Sequence, residues 1–106
     1  MSELSTEDQK LLTLARATRA RIGATEGAAV RDLDGRTYAG ASVALTSLSL
    51  GALEVCVAMA VASGSRGLEA AVVLTSSEST PSLDAVHEFA GQDVVVHVGD
   101  HRGTLR

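Results

Sequence analysis

The chain has 106 residues and a formal net charge of −4, with one Phe, one Tyr and no Trp. That length suits one domain with a real core, built here mostly from Ala, Val and Leu. The acidic total argues against a general nucleic-acid binder, which usually carries a basic surface, and the scarcity of aromatics leaves few platforms for stacking a base.

Met1 to Lys10 is polar and acidic, unlike a signal peptide. The single Cys56 excludes an internal disulfide. The expectation is a soluble cytoplasmic protein forming a single domain over residues 1–106. The chain also has one Lys, one Ile and no Asn, the bias of a GC-rich genome.

The chain opens with a helix signal. Ser5-Thr6-Glu7-Asp8 offers a hydroxyl cap followed by acids in the first turn. Leu11, Leu14, Ala15, Thr18 and Ile22 fall at helical spacing on one face, and Gly23 to Gly27 ends the helix. Arg16 lies on the other side and Arg19 on the flank. With Arg21 and Arg36 they would form a local basic patch, for which a solvated face is the usual meaning and an RNA-binding helix the alternative, against the acidic total.

Ala28-Ala29-Val30 and Thr37 to Val43 read as two strands, joined through the Asp34-Gly35 turn signal. The stretch from Thr37 to Ser65 holds one charged residue, Glu54, in 29. Within it, Leu48 to Ala62 reads as a helix that is apolar almost all round, capped by Ser47 or Ser49 and closed by Gly64-Ser65. At 1.5 Å per residue it is roughly 22 Å long, too short and too interrupted by Glu54 to cross a bilayer.

Ala70 to Leu74 is a continuous apolar run, as in a central strand covered on both faces. Ser76 to Pro81 is a polar loop, Ser82 to Phe89 a short helix and Val94 to Val98 a further strand. Gly99 to Gly103 reads as a turn leading to a stub of strand. The order is α-β-β-α-β-α-β, a mixed sheet with helices on both faces.

Several residues carry a resemblance. Gly27-Ala28-Ala29-Val30, Asp34-Gly35-Arg36 and Tyr38-Ala39-Gly40 are similar to the first hairpin of the cytidine deaminase family. Ala60-Val61-Ala62-Ser63-Gly64 resembles the end of that family's second helix. Pro81, Val86, Glu88 and Phe89 resemble the remains of its P-C-G-x-C segment. The resemblance implies a three-layer α/β/α fold. It also implies a zinc ion that makes hydroxide, held by a C/H-x-E motif and by two cysteines of P-C-x-x-C.

Here no C-x-E or H-x-E occurs, and Pro81 is followed by Ser82-Leu83-Asp84. The family's ribose-binding Asn and Glu fall near Ser42 and Ala44. The chain looks like a short, zinc-less subgroup of the family associated with actinobacteria. The expectation is therefore no catalytic residue, no metal ligand and no cofactor.

Glu54 is the one candidate for ligand binding. The competing reading is a structural carboxylate answered by an Arg or a backbone donor. Cys56 has no basic neighbour in sequence and reads as a small buried hydrophobe. His87, His97 and His101 match no metal spacing, and His97 should face away from Val96 and Val98. Gly35, Gly40, Gly64 and Gly67 form no nucleotide-binding pattern.

Two stripes run along the apolar helix. Leu50, Leu53, Val57 and Val61 should pack on the sheet. Leu48, Ala52, Val55 and Met59, with Glu54 at the edge, should meet a second subunit in a homodimer or homotetramer. The function expected is a catalytically degenerate, oligomeric interaction or regulatory module whose protein partner stays unknown. The alternatives are a zinc-dependent cytidine deaminase and a metal-free nucleoside or nucleotide sensor.

Overall fold

Ser5 caps the first helix by accepting from the Asp8 backbone N–H at 3.0 Å, and Gly23 closes it in the left-handed conformation. This helix, α1, is Thr6–Ile22. The computed structural model describes residues 4–106, so the first three residues of the acidic opening segment lie outside it. The buried face of α1 is Leu11, Leu12, Ala15 and Thr18, whereas Leu14 and Ile22 are 37% and 58% exposed. The expected stripe was thus turned too far toward Leu14. Leu12 takes that place because the helix leans toward the C-terminal turn, where its side chain lies beside Gly103.

Strands β1 (Glu26–Asp32) and β2 (Thr37–Ala41) form the expected hairpin, turning through Leu33-Asp34-Gly35. The next stretch departs from expectation. Val43–Ala44 (β3) and Ser49–Leu50 (β4) pair as a short ribbon, closed by a 2.8 Å bond from the Leu45 N–H to the Leu48 carbonyl. Helix α2 therefore begins at Ala52 and runs to Ala62. Neither Ser47 nor Ser49 caps it, because Gly51 is the cap residue. Strand β5 (Leu68–Thr75), helix α3 (Asp84–Ala90) and strand β6 (Val95–Asp100) complete the chain. The expected stub of a last strand is a single bridge between Gly99 and Leu105.

The main sheet has the order β2-β1-β5-β6, antiparallel except for the parallel β5–β6 pair. Strand β5 is central, and its alternation serves two cores. Ala71 and Val73 point to the cluster under α2 and α3, while Ala70, Val72 and Leu74 point to the cluster under α1. Burial on both faces explains the unbroken apolar run.

Two glycines set how closely the helices approach. A methyl group at Gly27 would strike the α1 backbone at Ala15 and Arg19, and one at Gly40 would lie 2.7 Å from Val55 Cγ1. The architecture is the expected three-layer α/β/α with a mixed sheet.

Candidate functional site

Position decides where chemistry would sit in this fold. Strand β1 starts at Glu26 beside Thr75, the last residue of β5, and helix α2 starts above the same edge. The first turn of α2 leaves backbone N–H groups without intrahelical partners. Two carboxylates answer them. Glu54 Oε1 accepts from the Gly51 N–H at 2.7 Å, and Glu26 Oε1 accepts from the Ala52 N–H at 3.1 Å.

Glu26 is held in turn by Ser42, whose hydroxyl accepts from the Glu26 N–H at 3.0 Å while its own N–H donates to the Glu26 carbonyl. Around them lies an open concavity of about 270 Å³, lined by residues that include Thr25, Ser42, Ala44 and Ser49. Sequence reading singled out Glu54 and passed over Glu26. The signal for Glu54's role was present: a Gly cap followed three residues later by Glu is the spacing of a capping box. Glu26 gave no such signal, because its partner is 26 residues away.

The remaining candidates are scattered. Cys56 is fully buried, and that burial pushes its thiol up to about 12, with a smaller opposing effect from the Gly40 backbone. It is a thiol in the core under α2, not a nucleophile. His97 does face away from Val96 and Val98. Those two pack on the cluster under α2 and α3, and His97 Nε2 lies 3.0 Å from Asp8 Oδ2 on the α1 side. His87 is half-buried on α3, and His101 is exposed in the C-terminal turn. The three histidines do not meet.

Arg16 and Arg19 share a flank of α1. Arg21, five residues past Arg16, falls on the other flank, and Arg36 sits at the hairpin turn at the far end of β1.

Two polar networks rest on links between residues distant in the chain, which gave no sequence signal. In the first, Arg31 on β1 donates to Asp8 at 2.8 Å and to Glu69 on β5, while Asp8 also meets His97. Burial works against the Asp8 carboxylate. Its bonds to His97 and Arg31 prevail and hold its pKa below the ordinary value.

In the second, the buried Asp32 accepts the Ser65 hydroxyl at 2.5 Å and the N–H groups of Asp34 and Arg36 at 2.9 Å each. The Ser65 bond is the main reason the Asp32 carboxyl is depressed below its usual pKa. Tyr38 lies 3.5 Å from the same hydroxyl. This network ties the hairpin turn to the segment after α2.

The expected oligomer residues are placed as follows. Leu48 stands outside the helix and is 49% exposed. Ala52 has no exposed surface within the chain. Val55 and Met59 lie against Gly40 of β2. Glu54 is half-buried at its capping contact. The outward face of α2 is instead Ala58, Val61 and Ala62, because the helix starts four residues later than expected and rests on β2 through Val55 and Met59.

The layer order, the hairpin and the placement of α2 define a class, and a family model described as cytidine deaminase-like matches residues 4–103. The chain belongs to the cytidine deaminase-like family. Three solved structures carry the likeness in detail. Cytidine deaminase from Burkholderia pseudomallei superimposes with a TM-score of 0.77 at 21% identity, over 97% of this chain and 91% of that one. Cytidine deaminase from Mycobacterium leprae gives 0.70 at 19% identity, over 96% and 93%. Cytidine deaminase from Mycobacterium tuberculosis gives 0.70 at 24% identity, over 96% and 90%. At these identities the likeness is one of fold. The search of curated proteins found no match.

The family implies zinc, and the residues present do not fit it. The start of α2 offers Gly51, Ala52 and Leu53, and the start of α3 offers Leu83 and Asp84. Among the described residues no group of three or more His, Cys, Asp or Glu could hold a metal ion. A tetrahedral zinc site needs three such protein ligands around an open position. Among the described residues no helix is long and apolar enough to cross a membrane.

Proposed function

We propose that this chain has kept the deaminase-like fold without the deaminase reaction and works as an oligomeric interaction or regulatory module. One observation carries the reading. At the start of α2, where the family would place a zinc ligand, the free backbone N–H groups are answered by Glu54 and Glu26 of the chain itself. Those carboxylates act as helix caps, and among the described residues they belong to no group of three or more His, Cys, Asp or Glu that could hold a metal. Without a metal hydroxide, attack on the cytosine ring lacks its activated nucleophile.

The test uses untagged protein from a host lacking its own cytidine deaminase. The expected result is no stoichiometric zinc by elemental analysis and no turnover of cytidine or deoxycytidine by ultraviolet absorbance. About one zinc per chain, with turnover lost in Glu54→Gln, establishes the deaminase reading instead. That reading draws on the family and on the names of the structural neighbours.

The open concavity beside Glu26 and Ser42 favours one second reading, a metal-free nucleoside sensor. Thermal stabilisation by cytidine without turnover would distinguish it.

The assembly surface of the module is redrawn on the outward face of α2. Ala58, Val61 and Ala62 there adjoin a groove of about 280 Å³ between α2 and α3, lined by Val57, Val61, Ala85, Glu88 and Phe89. An apolar helix face of this kind is a usual interface core. Light scattering coupled to size exclusion should give a dimer or tetramer. A monomer at every concentration tested rejects the assembly.

A further inference from the structure

The net charge of −4 conceals an uneven distribution. No Asp or Glu occurs between Gln9 and Thr25 or after Asp100, and six of the nine Lys and Arg residues, Lys10, Arg16, Arg19, Arg21, Arg102 and Arg106, fall in those two stretches. The fold brings four of the six together.

The links form a chain of contacts around one end of the sheet. Arg16 Nη1 donates to the Arg102 carbonyl at 3.4 Å, and Gly103 rests beside the Arg16 guanidinium and Leu12. Arg19 Nη1 donates to the Ala24 carbonyl at 3.0 Å. The Thr25 carbonyl next to it accepts from the Ser76 N–H at 3.0 Å. Arg106 Nη2 donates to the Ser77 carbonyl at 2.9 Å. The flank of α1, the end of β5 and the C-terminal turn therefore share one basic surface.

These cations are only partly answered: Asp100 stands in the turn and its charge acts on Arg102. Arg16, Arg19 and Arg106 bond to backbone carbonyls, and the buried Nε of Arg19 has no hydrogen-bond partner. Among the described residues, none of the four is within ion-pair distance of a carboxylate, in contrast to Arg31 and Lys10. The nearest acid in the turn, Asp100, is engaged by the backbone N–H groups of Arg102 and Thr104 at 2.9 and 3.0 Å. Acids elsewhere on the molecule are screened beyond about 8 Å at physiological salt.

We propose that this surface, built from Arg16, Arg19, Arg102 and Arg106, binds the phosphodiester backbone of RNA without reading its sequence. Three observations select that partner. All four cations are arginines, whose planar fork matches phosphate oxygens in pairs. The exposed residues between them, Thr13, Ala17, Ala20 and Thr104, are small and offer no aromatic or large aliphatic anchor of the kind that protein interfaces are built on. The two aromatics, Tyr38 and Phe89, pack on the opposite face of the sheet, so no base can stack here. Contact to phosphates alone remains, and it releases counterions.

The experiment is fluorescence anisotropy of a labelled oligouridylate of about 20 nucleotides, titrated with the whole protein. Binding is expected in the micromolar range at about 50 mM salt. It should weaken roughly twenty- to fifty-fold by about 200 mM, the slope of three or four phosphate contacts on a single strand. The double variant Arg16→Glu with Arg102→Glu should bind at least about tenfold more weakly, while Arg66→Glu, away from this surface, should match the wild type. If the charge reversals unfold the chain, the neutral pair Arg16→Gln with Arg102→Gln gives the same comparison. The proposal is overturned by no binding of the wild type at about 50 mM salt, by a folded double variant that binds as well, or by polyglutamate competing as effectively as unlabelled RNA.

Discussion

Under α1 the sheet carries Arg31 and His97, and the helix answers with Asp8, a carboxylate that bonds to both. Under α2 and α3 the sheet carries Ala28, Val30, Ala71 and Val73, and the helices answer with Leu53, Cys56 and Val86. The first contact is specific in register, because three strands and a helix must align for the Asp8–Arg31–Glu69–His97 network to close. The second depends on close approach of small side chains. That second face is not free of ionisable groups, since Cys56 and Tyr38 pack in it and the buried Asp32 bonds to Ser65 beside Tyr38. Its only carboxylates at the expected position, Glu26 and Glu54, cap a helix. The contrast is between two ways of holding a helix on a sheet, and the fold alone does not decide what chemistry a chain performs.

The comparison breaks first under truncation of the two cores. Leu53 and Leu11 are 2% and 0% exposed, one on each face. Leu53→Ala and Leu11→Ala should each cost about 2–5 kcal/mol in urea melts. A cost below about 1 kcal/mol on one face alone would show that this face is loosely packed.

Overpacking separates the faces more sharply. At Gly27 an added side chain meets the α1 backbone, which cannot yield, while at Gly40 it meets the ends of Val55 and Met59, which can. Gly27→Val should therefore destabilise more than Gly40→Val, with costs in the range of about 1–3 kcal/mol and the upper end at Gly27. Equal losses in thermal melts would mean that α2 is as rigid as α1.

The α1 face should also respond to acid. The folded-state pKa of Asp8 lies below its ordinary value of 3.8, against the effect of burial and because of His97 and Arg31. A depressed carboxyl contributes stability that is complete above the unfolded value and is lost as pH falls through the folded one. Asp8→Asn should cost about 1–3 kcal/mol near neutral pH, and the gap to wild type should close as pH falls below the ordinary carboxyl value of 3.8 and through the lower folded one. The variant should keep some acid sensitivity, since Asp32 and Asp100 are depressed as well. A gap that stays constant across that range would remove Asp8 from the charge network.

Much of the fold was legible in the sequence because local signals agreed with tertiary needs. The run Ala70 to Leu74 announced a strand buried on both faces, Asp34-Gly35 announced the hairpin, and Ser5 announced α1. The start of α2 was misjudged because Leu48 to Leu50 is as apolar as the helix that follows. Hydrophobicity alone cannot separate a ribbon strand from a helix over three residues. The long-range links of Asp8 and Asp32 were invisible, since Arg31, His97 and Ser65 lie 23, 89 and 33 residues from the carboxylates they meet. The start of α2 was legible as the place to look, and Glu54 as a carboxylate there. Glu26, which stands where a ligand was sought, was not legible.

The smallest expected effect bears most directly on that site. If Glu54 and Glu26 are caps, each satisfies one backbone donor, Gly51 and Ala52 respectively, and each removal should cost a capping increment. Glu54→Ala should lower stability by about 0.5–1.5 kcal/mol, and Glu26→Ala by a similar amount, read from the midpoint in urea at constant slope. The two carboxylates reach toward the same residue, their Oε1 atoms standing 3.5 and 3.3 Å from the position of a Cβ on Gly51. Neighbouring carboxylates repel, so each single removal already gains the full relief, and the double variant should cost more than the sum of the singles. The sign of that coupling is the decisive reading. A double loss equal to the sum means two independent caps. A rise in stability on removing Glu54 alone means that the pair is held at a cost, as carboxylates kept together to bind a ligand would be, and it would return this edge of the molecule to the list of binding sites.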